Sequence, residues 1–409
     1  MERRSFLKTT MGVGFAGLLN VNPAFPSQTE NLIEGNDPKL VDLKKLIPGP
    51  VMIDQIELLK NGGDYFVRVT SKDGDIGIVK GNEKILETAT LIKKLVNPAF
   101  KKKDARDIEK LVEDMFYNAS AYKYSGVPLW NGVGHVELAI LDLLGKIAKK
   151  PVYDLFGGAI RTEIPVYMSS TRRDTTAEKE IEWVSKRVYE TGAKAAKMKI
   201  GGRMSRNADA YKGRTETLVK LARKTFGEDF VLYMDSNGSY DVPKAIEIGK
   251  FLQDYKISLY EEPVVWSDFE GTKAVADALE IPVAGGEQDS SIHTFQWYIK
   301  HKGLDIVQPD MFYNGGIIRG LQVAAFANQY GMKIVPHSPK NDPTGGANLQ
   351  FAAIVPNLGP YQEFQAMPEK PDSWYSPYLE VKNGVLKLPT APGLGFQYDM
   401  AFINGSEKL

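Results

Sequence analysis

From Val51 to Val79 apolar and polar positions alternate, as in Tyr65-Phe66-Val67-Arg68-Val69. Asn61-Gly62-Gly63 and Lys72-Asp73-Gly74 interrupt the alternation. A period of two broken by glycine turns predicts paired antiparallel strands. The period then lengthens, predicting helices over 83–97, 105–121 and 132–149. In the last of these Leu138, Leu141, Leu144 and Ile147 recur at three-residue spacing, the mark of an amphipathic or buried face. Pro151 stops it and Phe156-Gly157-Gly158 closes the segment. This first part, 41–160, reads as an α+β module.

Beyond residue 160 short apolar runs alternate with helical stretches. The predicted strands are Ile164–Met168, Ala195–Ile200, Phe230–Met234, Ile257–Tyr260, Pro282–Ala284, Asp305–Val307, Lys333–Val335 and Tyr361–Phe364. Their regular pitch predicts a parallel (β/α) barrel over 161–376, an α/β architecture of the TIM type. In the remainder, 377–409, the runs 379–381 and 385–388 around Asn383-Gly384 predict a short hairpin.

The first 25 residues stand apart from the fold. Arg3-Arg4-Ser5-Phe6-Leu7-Lys8 precedes a modestly apolar stretch, Met11 to Leu19, too short for the about 20 residues a bilayer span needs. This looks like a twin-arginine export signal and predicts a periplasmic protein, or a cytoplasmic one if the signal is not functional. Residues 26–40 are polar and read as a linker.

Composition narrows the chemistry. Basic and acidic residues balance at 51 each, so neither a nucleic-acid partner nor a polybasic membrane contact is favoured. There is no cysteine, which excludes disulfides, thiolate metal sites and cysteine nucleophiles. Any metal must be held by oxygen or imidazole.

Oxygen ligands are present at the predicted strand ends. Asp235, Glu261 and Glu287 each follow a strand, at spacings of 26 and 26 residues. A barrel repeat is roughly 31 residues, so the three acids fall on adjacent strands at the C-terminal rim, where barrel enzymes keep their active sites. One such acid alone is more often a helix cap or a surface ion pair. Three crowded together repel unless a cation neutralises them, and hard oxygen donors favour Mg²⁺, with Mn²⁺ as the alternative. Of the pair Glu261-Glu262 only one can face inward, and the spacing selects Glu261, leaving Glu262 to cap or bridge at the rim.

Lys197 and Lys199 are two apart on the second barrel strand and face the same way. Surface lysines are the plainer reading, but Ala195, Ala196 and Ile200 argue against an exposed strand. A neighbouring ammonium and a divalent cation would each lower a lysine pKa from about 10.4 toward that of a useful base. Asp310 and His337 end the sixth and seventh strands, 27 residues apart. A carboxylate on one imidazole nitrogen fixes the tautomer and raises the basicity of the other. His135, His293 and His301 lie in helical stretches and read as structural or surface residues. Glu363 ends the eighth strand.

These parts fit one chemistry. A substrate carboxylate binds the metal, a proton leaves the adjacent carbon, and the Lewis acid and a lysine stabilise the enediolate. Lys199 on one face and His337 on the other can each act as acid or base.

Lys197-Met198-Lys199, Asp235-Ser236-Asn237, Glu261-Glu262-Pro263, Gly286-Glu287, Pro309-Asp310 and His337, in this order, resemble the mandelate racemase subgroup of the enolase superfamily over residues 41–409. The resemblance implies an N-terminal α+β capping domain, a modified (β/α)₇β barrel, and a return of 377–409 to the cap. It implies that Asp235, Glu261 and Glu287 ligate Mg²⁺, that Lys199 is a base, and that Lys197 binds the substrate carboxylate. It further implies that His337 with Asp310 is the opposing acid/base, that Glu363 hydrogen-bonds a carboxylate oxygen, and that Asn237 lies near the metal and the substrate. The partners implied are a small-molecule sugar acid and further copies of the chain as a homo-oligomer.

Within that subgroup the reading selects dehydration of an aldonate or aldarate to a 2-keto-3-deoxy acid. Racemisation, epimerisation and cycloisomerisation are alternatives, and a noncatalytic sugar-acid binding protein is a further one. The polar insert 201–216, with Arg203, Arg206, Lys212 and Arg214, reads first as a solvated loop and second as a cover that binds an anionic or polyhydroxy substrate. Specificity is expected there and in the cap near 41–52 and 123–131.

Overall fold

The computed structural model describes residues 38–117, 121–366 and 372–409. The export signal expected at 1–25 lies outside them. Among the described residues no helix is long and apolar enough to cross a membrane.

Strands β1 (Ile53–Asn61), β2 (Asp64–Ser71) and β3 (Ile76–Gly81) form an antiparallel meander, turning at the two predicted glycine turns. The helix Val127–Ala148 packs across β3. Contact is close because Gly77 lacks a side chain: a Cβ there would fall 2.1 Å from the Ala139 carbonyl oxygen. This helix starts five residues earlier than its periodicity predicts, because Pro128 is tolerated in the first turn and Leu129 and Trp130 extend the buried surface. Residues 129–145 are buried on every side, since the helix is wedged between the cap sheet and the barrel.

The barrel strands are β4 (Glu163–Ser169), β5 (Ala195–Lys199), β6 (Val231–Asp235), β7 (Leu259–Glu261), β8 (Val283–Gly285), β9 (Ile306–Val307), β10 (Lys333–Ile334) and β11 (Gln362–Gln365). They pair in parallel in the order β10-β9-β8-β7-β6-β5-β4-β11, and a helix lies between each successive two, which gives the predicted (β/α)₇β connectivity. Between β10 and β11 there is no ladder. Instead Ile334 N–H donates to Asn357 O and Gly359 N–H to Ile334 O, at 3.1 and 2.9 Å.

Side-chain alternation builds the interior in layers. Tyr167, Ala195, Tyr233 and Leu259 form an apolar floor with Ala284 and Val335. Two residues further along the same strands, on the same face, stand Ser169, Lys197, Asp235 and Glu261. The polar layer therefore rests on a packed apolar one.

The predicted hairpin at 379–388 is corrected. A single bridge joins Lys382 to Val385, and Val385–Lys387 pairs antiparallel with 163–165 of β4. The cause is that β4 pairs with β5 only at Met168 and Ser169, leaving backbone groups at its start that need partners. The chain does return to the cap: Glu407-Lys408 pairs with β1, and Trp374, Phe396 and Ile403 pack on Leu59 and Phe66.

Candidate active site

Register places the charged layer. Lys199 is opposite Asp235, and Asp235 is opposite Glu261. Glu287 follows β8 through Gly286, whose φ of +106° turns the chain inward. One carboxylate oxygen from each of Asp235, Glu261 and Glu287 lies within 4.8 Å of the others. Asp235 and Glu261 are buried, and Glu287 Oε2 has no hydrogen-bond partner. Two buried carboxylates and a partly buried third, converging as an all-oxygen set with an unbonded acceptor, fit a small hard divalent cation, so these three residues would hold Mg²⁺.

Glu262 is a fourth carboxylate of the cluster and is buried, and here the expectation of a rim residue is corrected. Its backbone is left-handed (φ +43°), which breaks the strand alternation. Its Oε2 accepts from Asn237 Nδ2 at 2.9 Å and its Oε1 has no partner. Burial, then the charges of Glu287 and Asp235, push its carboxyl well above the usual range. Glu261 is raised to about 8, by burial first, with Lys197 opposing and Asp235 adding. Burial also works on Asp235, but Lys199 and then Lys197 outweigh it and hold that carboxyl below its ordinary value.

The two lysines sit side by side on β5. Lys199 Nζ contacts Asp235 Oδ2. Lys197 is fully buried, with Nζ 2.6 Å from Glu261 Oε1, 2.8 Å from Glu363 Oε1 and 3.9 Å from Asp235 Oδ2. Glu363 also accepts from Ser169 Oγ (2.7 Å) and Ser338 N–H (2.8 Å). Burial would raise Glu363, yet Lys197 and His337 pull it to about 2. An ionised carboxylate with three donors is an acceptor only, so in this arrangement Glu363 orients Lys197.

His337 stands on the other side of the carboxylates. Its Nδ1 is 2.8 Å from Asp310 Oδ2 and its Nε2 is 3.5 Å from Glu287 Oε2. Asp310 Oδ1 is held by the N–H groups of Phe312 and Tyr313 at 2.7 and 3.0 Å. Burial would lower the imidazole pKa, but Glu287 and Asp310 carry it up to about 10. His135, in contrast, is a buried structural residue, with Nδ1 2.6 Å from Asn131 O and Nε2 accepting from Asn82 N–H at 3.3 Å.

Asn237 ties the cluster together. Its N–H and Nδ2 both donate to Asp235, at 2.8 and 3.2 Å. Its Oδ1 faces Arg173 (3.0 Å) and Arg203 (3.5 Å). Sequence reasoning missed Arg173, which also donates to the carbonyls of Gly201, Ile200 and Asp235. It missed Gln308 as well, whose Nε2 donates to Glu261 Oε2 at 2.9 Å. Within the insert, Arg214 is buried and donates to Lys199 O and Thr175 O, while Arg206 and Lys212 are exposed. A cavity of about 2090 Å³ opens above the site between barrel and cap, reaching Asn237, Glu287, His337 and Arg203 below, and Phe116 and Trp130 above.

Comparison with known proteins shows the family. A family model described as enolase C-terminal domain-like matches residues 180–402, and the chain belongs to that family, within the enolase superfamily. It is 29% identical over 310 residues to an arabinonate dehydratase of Saccharolobus solfataricus, covering 75% of this chain and 79% of that one. A solved structure from Roseobacter denitrificans, assigned as a racemase, is 32% identical with a TM-score of 0.82, covering 88% of this chain and 99% of that chain. A mandelate racemase/muconate lactonizing protein from Paracoccus denitrificans, solved with magnesium, is 26% identical with a TM-score of 0.80, at 88% and 99% coverage.

Proposed function

We propose that this protein is a Mg²⁺-dependent sugar-acid dehydratase. It removes the proton next to the carboxylate of an aldonate or aldarate and expels the neighbouring hydroxyl as water, giving a 2-keto-3-deoxy acid. The observation that carries this reading is the position of Asp235, Glu261 and Glu287 between Lys199 on one side and the His337–Asp310 pair on the other.

Mg²⁺, when bound, supplies the Lewis acidity that makes the proton removable. Lys197, fixed by Glu261 and Glu363, keeps a positive charge where the enediolate oxygens gain negative charge. Lys199 Nζ takes the proton on its side. His337 Nε2, in the tautomer and orientation set by Asp310, gives a proton to the departing hydroxyl. The name of the Saccharolobus relative supports a dehydratase. Racemisation at the same carbon is the second reading, favoured by titratable groups on both sides of one cluster and by the Roseobacter neighbour.

Product analysis of sugar acids incubated with Mg²⁺-supplied protein in D₂O separates the two. A 2-keto-3-deoxy product supports the dehydratase. Deuterium at C2 of recovered acid with no loss of water supports the racemase. A Lys199→Met variant that still exchanges or dehydrates at the wild-type rate refutes the assigned base. Export through Arg3-Arg4 is part of the same proposal. Recovery of the chain in the cytoplasm alone, unchanged when both arginines are replaced by lysine, would count against it.

A further inference from the structure

The insert after β5 is a built structure. Arg203, Met204, Arg206 and Asn207 all have left-handed backbones, with φ of 43, 51, 52 and 74°. Non-glycine residues hold that conformation only when their surroundings impose it. The surroundings are the turn that follows Asp235: Met204 N–H donates to Asn237 O at 2.9 Å and Asn207 N–H to Ser239 O at 2.8 Å. Asn207 and Asp241 also exchange hydrogen bonds at 2.7 and 2.9 Å.

This anchorage sets Arg203 in the wall of the cavity, beside Asn237. Arg173 donates to the same Asn237 oxygen, and Arg214 lies behind, its Nη2 buried without an acceptor. Of the three, Arg203 lines the cavity, Arg173 shares the Asn237 oxygen with it, and Arg214 is buried. Among the described residues none of the three forms an ion pair with Asp or Glu; their partners are backbone carbonyls and the Asn237 amide. Arg68 is paired with Glu57 and Arg106 with Asp104, while Arg161, Arg223 and Arg319 rest on backbone carbonyls; what sets Arg203 apart is its place in the cavity wall beside Asn237, with Arg173 on the same amide oxygen. A neutral hydroxyl needs no such concentration of positive charge, whereas a carboxylate matches a guanidinium fork in both charge and shape.

We propose that Arg203, supported by Arg173, receives a second carboxylate at the far end of the substrate, so that the preferred acids are dicarboxylates (aldarates) over monocarboxylates (aldonates). This rests on the sugar-acid reading above and narrows it. Asn237 links the two ends: one edge of its amide holds Asp235 and the other faces the arginines.

The test compares C5 and C6 aldarates with the aldonates of matching configuration, using the full chain with Mg²⁺. Affinity is read by calorimetry, and kcat and KM are read separately. The best-bound aldarate should bind at least tenfold tighter than its aldonate. Arg203→Gln should weaken aldarate binding at least tenfold, through KM more than kcat, while leaving aldonate binding within twofold, and Arg203→Lys should recover part of the loss. No aldarate binding at millimolar concentration, no preference in the wild type, or equal losses on both acids in Arg203→Gln would each overturn the proposal. Because affinity is measured apart from turnover, an aldarate that binds through Arg203 but neither exchanges its C2 proton nor loses water would refute the dehydratase reading alone. Turnover confined to aldonates would refute only the diacid preference.

Discussion

Asp310 and His337 lie 27 residues apart in sequence and are joined by a 2.8 Å contact between a carboxylate oxygen and Nδ1. Two backbone N–H groups fix the other oxygen of Asp310, so the imidazole is oriented by a carboxylate that is itself immobilised. Its free nitrogen points at Glu287. Asp310→Asn should lower kcat by about 10–100-fold, with KM changed less and the fold intact. Steady-state kinetics with circular dichroism checks this, and an unchanged kcat would remove the pair from the mechanism.

The capping helix bears on the same region. Glu137 Oε1 accepts from Ile318 N–H at 2.9 Å, at the start of helix Ile317–Gln329, whose Gly316 N-cap has no side chain to do so. Burial raises the Glu137 carboxyl to about 8, above its ordinary value near 4.5, with the backbone N–H groups opposing. The folded chain thus holds this proton more firmly than the unfolded chain does. Its stability contribution is full below about pH 4.5 and is lost as pH rises through about 8. Glu137→Gln should remove that slope, so that between pH 5 and 9 the variant gains on the order of 4 kcal/mol relative to wild type. Denaturant titrations at the two pH values measure it, and parallel behaviour would show that Glu137 ionises without cost.

Cap and barrel are also pinned by Lys80. Its Nζ lies 2.8 Å from both Asp64 and Asp342, and 5.0 Å from the Trp374 ring centroid. Burial opposes its charge, but Asp342 and Asp64 raise its pKa further. Lys80→Met leaves Asp342 without its cation and should cost about 3 kcal/mol of stability. Thermal or chemical unfolding tests this, and a loss under about 0.5 kcal/mol would class the pair with ordinary surface bridges.

The barrel was legible in the sequence because each strand is a short apolar run ended by a turn or a charge, and the acids because they recur once per repeat. Glu262 was not, since strict alternation sends it outward, whereas its left-handed backbone turns it back. Arg173 and Arg214 left no spacing signal because they bind backbone carbonyls, which any residue can present. Gln308 and Ser169 could have been found: each lies two residues from an inward position, Asp310 and Tyr167 respectively. The hairpin at 379–388 failed because its partner, the start of β4, is more than 200 residues away and invisible to local turn signals.

The most direct test of the account is a Mn²⁺ titration followed by electron paramagnetic resonance, on the wild type and on Glu287→Gln, with Mg²⁺ as competitor. One ion should bind per wild-type chain, displaced by Mg²⁺ and weakened at least tenfold by the substitution. Binding that is absent, or identical in the two proteins, would contradict the assignment of Asp235, Glu261 and Glu287 as the metal centre.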